Sequence, residues 1–283
     1  MILSVGCSLR YDVLSPTAAF TFNVLVNTDV QQRILGEQVT CVPEMQSERV
    51  ATSKGNRVVR VEVPAGPFEL RYTATVETAY PVLPAEIAHE NPGRVPLNIL
   101  TYALPSRYCE SDRLAPFAWE LFGHYTNRAE QVRAICAWLD ANLTYAPGAS
   151  DSRTSAWEVW QTRRGVCRDY AHLGVALCRA LTIPARYLGC FAAGLEPMDF
   201  HACFEAYLGG KWYLFDPTDN IAPENIAVIA RGRDAANCAL TTIFGRVQAG
   251  PVHVTAVSVA PPAPPASSDA APLATLPRVA EAS

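Results

Sequence analysis

No two of the nine cysteines in this 283-residue chain are spaced C-x-x-C, and the five histidines form neither an H-E-x-x-H run nor a Cys/His ligand spacing. Those absences exclude a zinc ribbon or a zinc-protease helix, and they leave thiol–disulfide exchange without its usual motif. No acidic loop has EF-hand spacing. Charge of one sign is also missing: 23 basic against 27 acidic residues give a net charge of −4, and the cluster Arg163, Arg164, Arg168 and Arg179 is too small for a nucleic-acid footprint. Long apolar runs are absent too, since Arg10 and Asp12 interrupt the stretch 9–26. No metal, cofactor, nucleic-acid partner or membrane attachment is expected, and oligomeric state is left open.

What remains is the composition of a soluble globular protein, 49% apolar and 18% charged, able to bury a sizeable core. The length suits one large domain or two ordinary ones. An odd cysteine count in a chain too long to need disulfide staples predicts reduced, mostly buried thiols and a cytoplasmic protein. The opening "LSVGC", ending at Cys7, superficially has the form of a lipoprotein cleavage site. Six residues without a basic start do not supply an export segment.

Residues 1 to about 80 hold strand-like runs, "TFNVLV", "RVVRVEV" and "FELRYTATVET", separated by turns such as "SKGN" and "PAGP". An antiparallel β sheet or sandwich is expected, extending with its proline-punctuated connection to about residue 110. From about 113 the period becomes helical. "AEQVRAICAWLDANLTY" places Val132, Ile135, Cys136, Leu139 and Leu143 on one stripe. "SAWEVWQTRRG" reads as a short helix capped by Ser155 and stopped by Gly165, and another opens at Cys167 and ends before Pro184. The fold class is therefore α+β, with a β domain over 1–110 and a second domain over 111–250. The Pro/Ala/Ser-rich 251–283 reads as a disordered tail.

Cys167 is the first chemical candidate. A sulfur at a helix start sits beside unsatisfied N–H groups and the positive end of the helix dipole, which favours thiolate. Gly165 would give the chain a sharp turn and leave room for substrate. Asp169, in the first turn, suits the helix electrostatically. A lone cysteine is nevertheless most often a small buried hydrophobe.

A hairpin downstream adds the missing partners. With Gly209-Gly210 as a two-residue turn, Phe204 faces Phe215 and Cys203 faces Asp216. His201 then shares a sheet face with Asp216 on a diagonal within side-chain reach. Ala202, Phe204, Ala206, Leu208, Tyr213 and Phe215 fill the other face, so the apolar pattern and the polar pair select one register. A carboxylate there can fix the imidazole tautomer. Thiol, histidine and acid follow in the order suited to nucleophilic acyl transfer.

"RRGVCRDYAHLGVALCRALTIPARY" followed by "FHACFEAYLGGKWYLFDPTD" resembles the transglutaminase-like superfamily in its bacterial branch. The resemblance is close over about 150–245. It implies a papain-like α+β core behind a β-rich N-terminal domain, with Cys167 as nucleophile, His201 as general base and acid, and Asp216 as orienter. One departure is Cys203, where relatives commonly carry tryptophan; it touches the shape of the cleft and none of the three roles.

The backbone N–H of Cys167 is the natural first oxyanion donor. Gln161 and Trp160 are candidates for the second, with Trp157 an alternative, and each also reads as an ordinary helix residue. His172 is expected to pack, and Glu205, on the His201 face, to border the cleft. The expected activity is cysteine-dependent acyl transfer on peptide or protein amides through a thioester, with hydrolysis by a peptidase or amidase favoured. Transfer to an amine, as in a transglutaminase, passes through the same intermediate. A catalytically idle binding protein and a thiol-redox protein are the rivals from other classes.

Overall fold

A computed structural model describes residues 1–52, 55–87, 95–218 and 221–259. The first half holds four strands: β1 (Ile2–Phe22), β2 (Gln32–Val42), β3 (Ser47–Ala51) and β4 (Arg57–Thr78). The helical part follows with α1 (Leu97–Leu100), α2 (Ser111–Phe122), α3 (Arg128–Asn142), β5 (Thr144–Tyr145), α4 (Ala156–Thr162), β6 (Arg164–Gly165) and α5 (Cys167–Ala180). The chain then runs through β7 (Ala185–Ala192), β8 (His201–Leu208), β9 (Lys211–Phe215), β10 (Ile226–Gly232), β11 (Thr241–Phe244) and β12 (Val247–Val259). No helix among the described residues is long and apolar enough to cross a membrane.

The long strands β1 and β4 pair antiparallel along most of their length, with β2 and β3 on the outer side of β4. The outer side of β1 is covered by β12 and β11. This departs from the sequence expectation, which ended the second domain at 250 and began a disordered tail at 251. Residues 251–259 are sheet, and the rest of that tail, 260–283, lies outside the described residues. Pro251 disguises the strand, but β12 is hydrogen-bonded only to β1, and an edge tolerates proline. The register shifts between Leu9 and Tyr11, opposite Gly250-Pro251, which absorbs the missing donor.

The second sheet has the order β10-β7-β8-β9, all antiparallel neighbours. The hairpin register is the one expected: Phe204 faces Phe215 and Leu208 faces Lys211. Gly209 and Gly210 take φ of 55° and 81°, which suits a tight hairpin turn. Phe204, Ala206, Leu208, Tyr213 and Phe215 pack with Leu114, Ile135, Leu139 and the α5 residues Leu173 and Leu177. Gly174 permits this contact, because a Cβ there would lie 2.8 Å from the Phe204 ring. The stripe Val132, Ile135, Leu139 and Leu143 is buried as expected, with Cys136 partly so.

Strand β10 would leave an open edge beside β7. Two buried amides from the first half cover it. Gln32 donates to Val228 O at 2.8 Å and accepts from Val228 N–H at 2.9 Å. Asn56 does the same for Arg231, at 2.9 Å in each direction. Each side chain imitates a neighbouring strand and satisfies backbone groups that burial would otherwise orphan.

Candidate active site

Helix α5 begins where the side chain of Asp169 turns back. Its Oδ2 accepts the Val166 N–H at 2.8 Å and the Ser150 hydroxyl at 2.5 Å, in full burial. Val166 is extended, with φ −118° and ψ −179°, so Cys167 is the first helical residue. The structural role expected for Asp169 is thus observed. Gly165 acts differently from its expectation. It does not stop α4, which ends at Arg163 in the left-handed region, φ 57°. Its small size makes room for Asp169, whose Cβ would sit 2.6 Å from a Cβ added at Gly165, rather than room for substrate. Ser155 does cap α4, with the Glu158 carboxylate accepting the Ser155 N–H at 2.7 Å.

His201 opens β8, and its Nε2 lies 3.0 Å from Asp216 Oδ2. Both side chains are almost completely buried, at 1% and 3% exposure. On the same face Cys203 clusters with Leu188, Cys190, Ala192, Ile226 and Val228 from the neighbouring strands of the sheet. Asp216 stays ionised because it is richly bonded. Besides His201 it accepts the Thr218 N–H at 3.0 Å, the Thr218 hydroxyl at 2.7 Å and the Ile221 N–H at 3.1 Å. Burial alone would raise its pKa; the bonds from His201 and Thr218 bring it below the ordinary carboxylate value. The D-P-T run is therefore a turn folded around its own carboxylate.

Burial would likewise lower the His201 pKa. Asp216 and a hydrogen-bonding interaction with Cys167 overcome it and push the value up to about 11. Since Nε2 serves Asp216, the nitrogen facing the sulfur is Nδ1. It has no close hydrogen-bond partner. Cys167 is partly accessible, whereas seven of the nine cysteines are buried. Of the three residues singled out from the sequence, His201 and Asp216 are joined directly, and Cys167 acts on the His201 ring as one cause of its raised pKa.

Cys203, Asp216 and His201 place their ligand atoms within 4.8 Å of one another, the spacing a cation would need. Burial raises the Cys203 thiol well above its ordinary pKa, and the neighbouring Cys190 adds to this. A metal would have to displace protons from both Cys203 and His201, so the cluster is chemically better suited to moving a proton. Cys203 occupies the inner wall of the site.

Other expectations meet different fates. Trp160 stacks on Trp138 with ring centres 5.1 Å apart, and the Arg163 guanidinium lies 4.0 Å above it. Gln161 is exposed. Glu205 does not border a cleft. It is wholly buried, paired with Arg186 at 2.5 Å and Arg231 at 3.2 Å. His172 does pack: it lies between Tyr108 and Tyr187, and its Nε2 accepts the Ala235 N–H at 3.1 Å. Sequence reasoning missed Tyr145, which lies beside the chain entering α5. Only the pairing of β5 with β6, Tyr145 opposite Gly165, brings it there. A cavity of about 600 Å³ borders Asp216 from the side of α3, lined by Arg133, Cys136 and Asp140 but not by Cys167 or His201.

Comparison with known proteins places this geometry. The description "Transglutaminase-like superfamily" matches residues 116–217, and "Bacterial transglutaminase, N-terminal domain" matches residues 1–93. The chain is similar to a crystal structure of a candidate cysteine protease from Cytophaga hutchinsonii. The two are 39% identical with a TM-score of 0.88, over 94% of this chain and 93% of the other. An uncharacterized protein of Mycobacterium leprae is 25% identical over 258 residues, 82% of this chain and 88% of that protein. One from Mycobacterium tuberculosis is 28% identical over 123 residues, 38% of this chain and 39% of its own length. The expected α+β fold, an antiparallel β region followed by a papain-like core, is borne out.

Proposed function

We infer the activity from the premise that this chain belongs to the transglutaminase-like superfamily, which with the likeness to a candidate cysteine protease supports a cysteine-based enzyme. The reading is a peptidase or amidase that cleaves peptide or protein amides through a Cys167 thioester. One observation carries it: His201 bonds Asp216 through Nε2 at 3.0 Å, in almost complete burial, which leaves Nδ1 as the nitrogen free to serve Cys167. Sγ of Cys167 attacks the carbonyl carbon, and the C=O electrons move onto oxygen. His201 Nδ1–H passes its proton to the leaving amine as the C–N bond breaks. Water then attacks the thioester, giving one proton to His201, and the C–S bond breaks to release the carboxylic acid and the Cys167 thiolate. Asp216 holds the ring and its charge throughout. Hydrolysis is favoured over amine transfer because the 39%-identical structural relative is described as a candidate cysteine protease. An odd number of cysteines in a chain of this length suits a reducing, cytoplasmic setting.

The test is the rate of iodoacetamide alkylation at Cys167 against pH, read by peptide mass spectrometry in wild type and His201→Ala. Fast alkylation well below the ordinary thiol pKa of about 8.5, lost in the variant, supports the reading. Equal, slow alkylation in both proteins sinks it and leaves a non-catalytic binding protein. Incubating a peptide mixture with and without methylamine then separates new C-termini from methylamide products.

A further inference from the structure

We propose that His201, Cys203 and Asp216 form a zinc site, and that filling it disables Cys167 by taking its histidine. The binding rests on side-chain geometry; the loss of reactivity rests on the acyl-transfer reading above. One ligand atom from each of the three residues lies within 4.8 Å of the other two. Imidazole, thiolate and carboxylate are the ligand types that zinc takes in proteins. The distance from His201 Nε2 to Asp216 Oδ2 is 3.0 Å. Two such ligands, with bonds of about 2.0–2.1 Å, stand about 3.3 Å apart on a tetrahedral ion. An ion can therefore replace the proton shared by this pair after a small spreading, with Cys203 supplying the third bond.

The strands set this up. His201 and Cys203 stand two apart on β8 and share one face. Asp216 follows Phe215, which pairs with Phe204, so the register carries the carboxylate to the place opposite Cys203. Cys203, the one departure from the family resemblance, supplies the soft ligand. Leu188, Ile226 and Val228 form an apolar shell around it, which strengthens the attraction between a cation and its anionic ligands. Cys190 does not complete the set, because its thiol donates to the His201 carbonyl at 3.4 Å. The fourth position falls to water. Asp216 is also a wall residue of the cavity of about 600 Å³ beside α3, which gives a cation an approach that does not pass Cys167. Asp140 adds negative charge on that wall, and the Arg133 guanidinium is turned to the Leu83 and Pro84 carbonyls.

Binding is a proton exchange without oxidation or reduction. Cys203 holds its thiol proton and His201 is protonated at neutral pH. As the ion enters, one proton leaves the Cys203 sulfur and one leaves the His201 ring. The ring is then neutral, with the ion on Nε2 and its remaining proton on Nδ1. It can neither hold Cys167 as thiolate nor take a proton from it. The two displaced protons separate this ion from a resident cofactor: it is taken up when zinc is abundant and given back to a chelator.

The experiment titrates the full chain with Co²⁺, which stands in for zinc and reports a cysteine ligand by its thiolate-to-metal charge-transfer band. Zinc affinity is read by competition with a chromogenic chelator. Wild type and Cys167→Ala are expected to show the band. Cys203→Ser and Cys203→Ala should lose it, with zinc affinity down at least about 10²-fold. Asp216→Asn, which keeps every thiol, should weaken zinc at least about tenfold. Acylation of Cys167 by p-nitrophenyl acetate, read by released p-nitrophenolate, gives the effect on reactivity. At pH about 6.5 saturating zinc should slow it at least about tenfold in wild type, because a thiol of ordinary pKa is mostly protonated there. A chelator should restore the rate, and Cys203→Ser should resist the zinc. A band that persists in both Cys203 variants, or vanishes in Cys167→Ala, puts the ion on another thiol and overturns the site. Binding that leaves wild-type acylation unchanged overturns the loss of reactivity. If the wild type releases no p-nitrophenolate even without zinc, the acyl-transfer reading fails and takes that loss with it, while the cobalt band still decides the site.

Discussion

A β-carbon added to Gly165 would lie 2.6 Å from the β-carbon of Asp169 and 2.8 Å from its Oδ2. The glycine two residues before Cys167 is therefore a spacer for the carboxylate that starts the Cys167 helix. Gly165→Ala should push Asp169 off the Val166 N–H and destabilise the fold by about 1–3 kcal/mol, the usual result of overpacking. Urea denaturation measures this. Because the displaced turn carries Cys167, alkylation should slow as well; a variant with wild-type midpoint and wild-type alkylation contradicts the account.

Asp216→Asn keeps the shape of the turn but removes the charge. The amide leaves His201 without its anionic partner, so the His201 pKa should fall from its raised value toward the ordinary one. Acylation of Cys167 at neutral pH should drop at least roughly 10²-fold, with binding of a non-reactive peptide unchanged. NMR titration of the His201 ring checks the first outcome and p-nitrophenolate release the second.

The ion pairs behind β8 make a prediction about stability. Glu205 is wholly buried between Arg186 and Arg231, and Arg231 reaches on to Asp29 at 2.7 Å. Burial alone would raise the Glu205 pKa, and the two arginines hold it below normal instead. Glu205→Gln leaves Arg231, which is 6% exposed, without its buried counter-charge. Removing one partner of such a pair costs about 3–5 kcal/mol, so chemical denaturation should show a large loss. A change within experimental error sinks the claim.

Two histidines should shape the pH dependence of stability in opposite senses. Burial, with help from Arg168 and Arg179, lowers the His172 pKa to about 3. Between there and the unfolded value of about 6.5 the unfolded chain binds the extra proton, so stability rises with pH by up to about 1.4 kcal/mol per unit. His201, raised to about 11, does the reverse. Its contribution is complete below about 6.5 and is lost as pH climbs toward its folded value. Denaturant midpoints from pH 4 to pH 10 should show both limbs. His172→Gln should flatten the acid limb alone, and His201→Gln the alkaline one.

Much of the site was legible because its signals are local. A cysteine after Gly-Val at the start of an amphipathic run marks a helix N-terminus. The alternation from Ala202 to Phe215 around Gly209-Gly210 permits one hairpin register, and that register alone aligns His201 with Asp216. Thr218 follows Asp216 closely enough to wrap its carboxylate. These features arise from helix capping, the two-residue period of strands and turn chemistry, which act over a few positions.

Only the tertiary structure decided the rest, because the partners come from far along the chain. β12 becomes a strand through its pairing with β1, at the opposite end of the sequence. The His201–Asp216 pair is dry, and Glu205, on the same strand face, is half of a buried ion pair with Arg231 from β10 rather than a cleft residue. Tyr145 is set opposite Gly165 by a two-residue bridge between β5 and β6, too short to show a period. Chain order and local pattern determined that Cys167 opens a helix and that His201 lies across from Asp216. Packing between distant segments decided how dry that pair is.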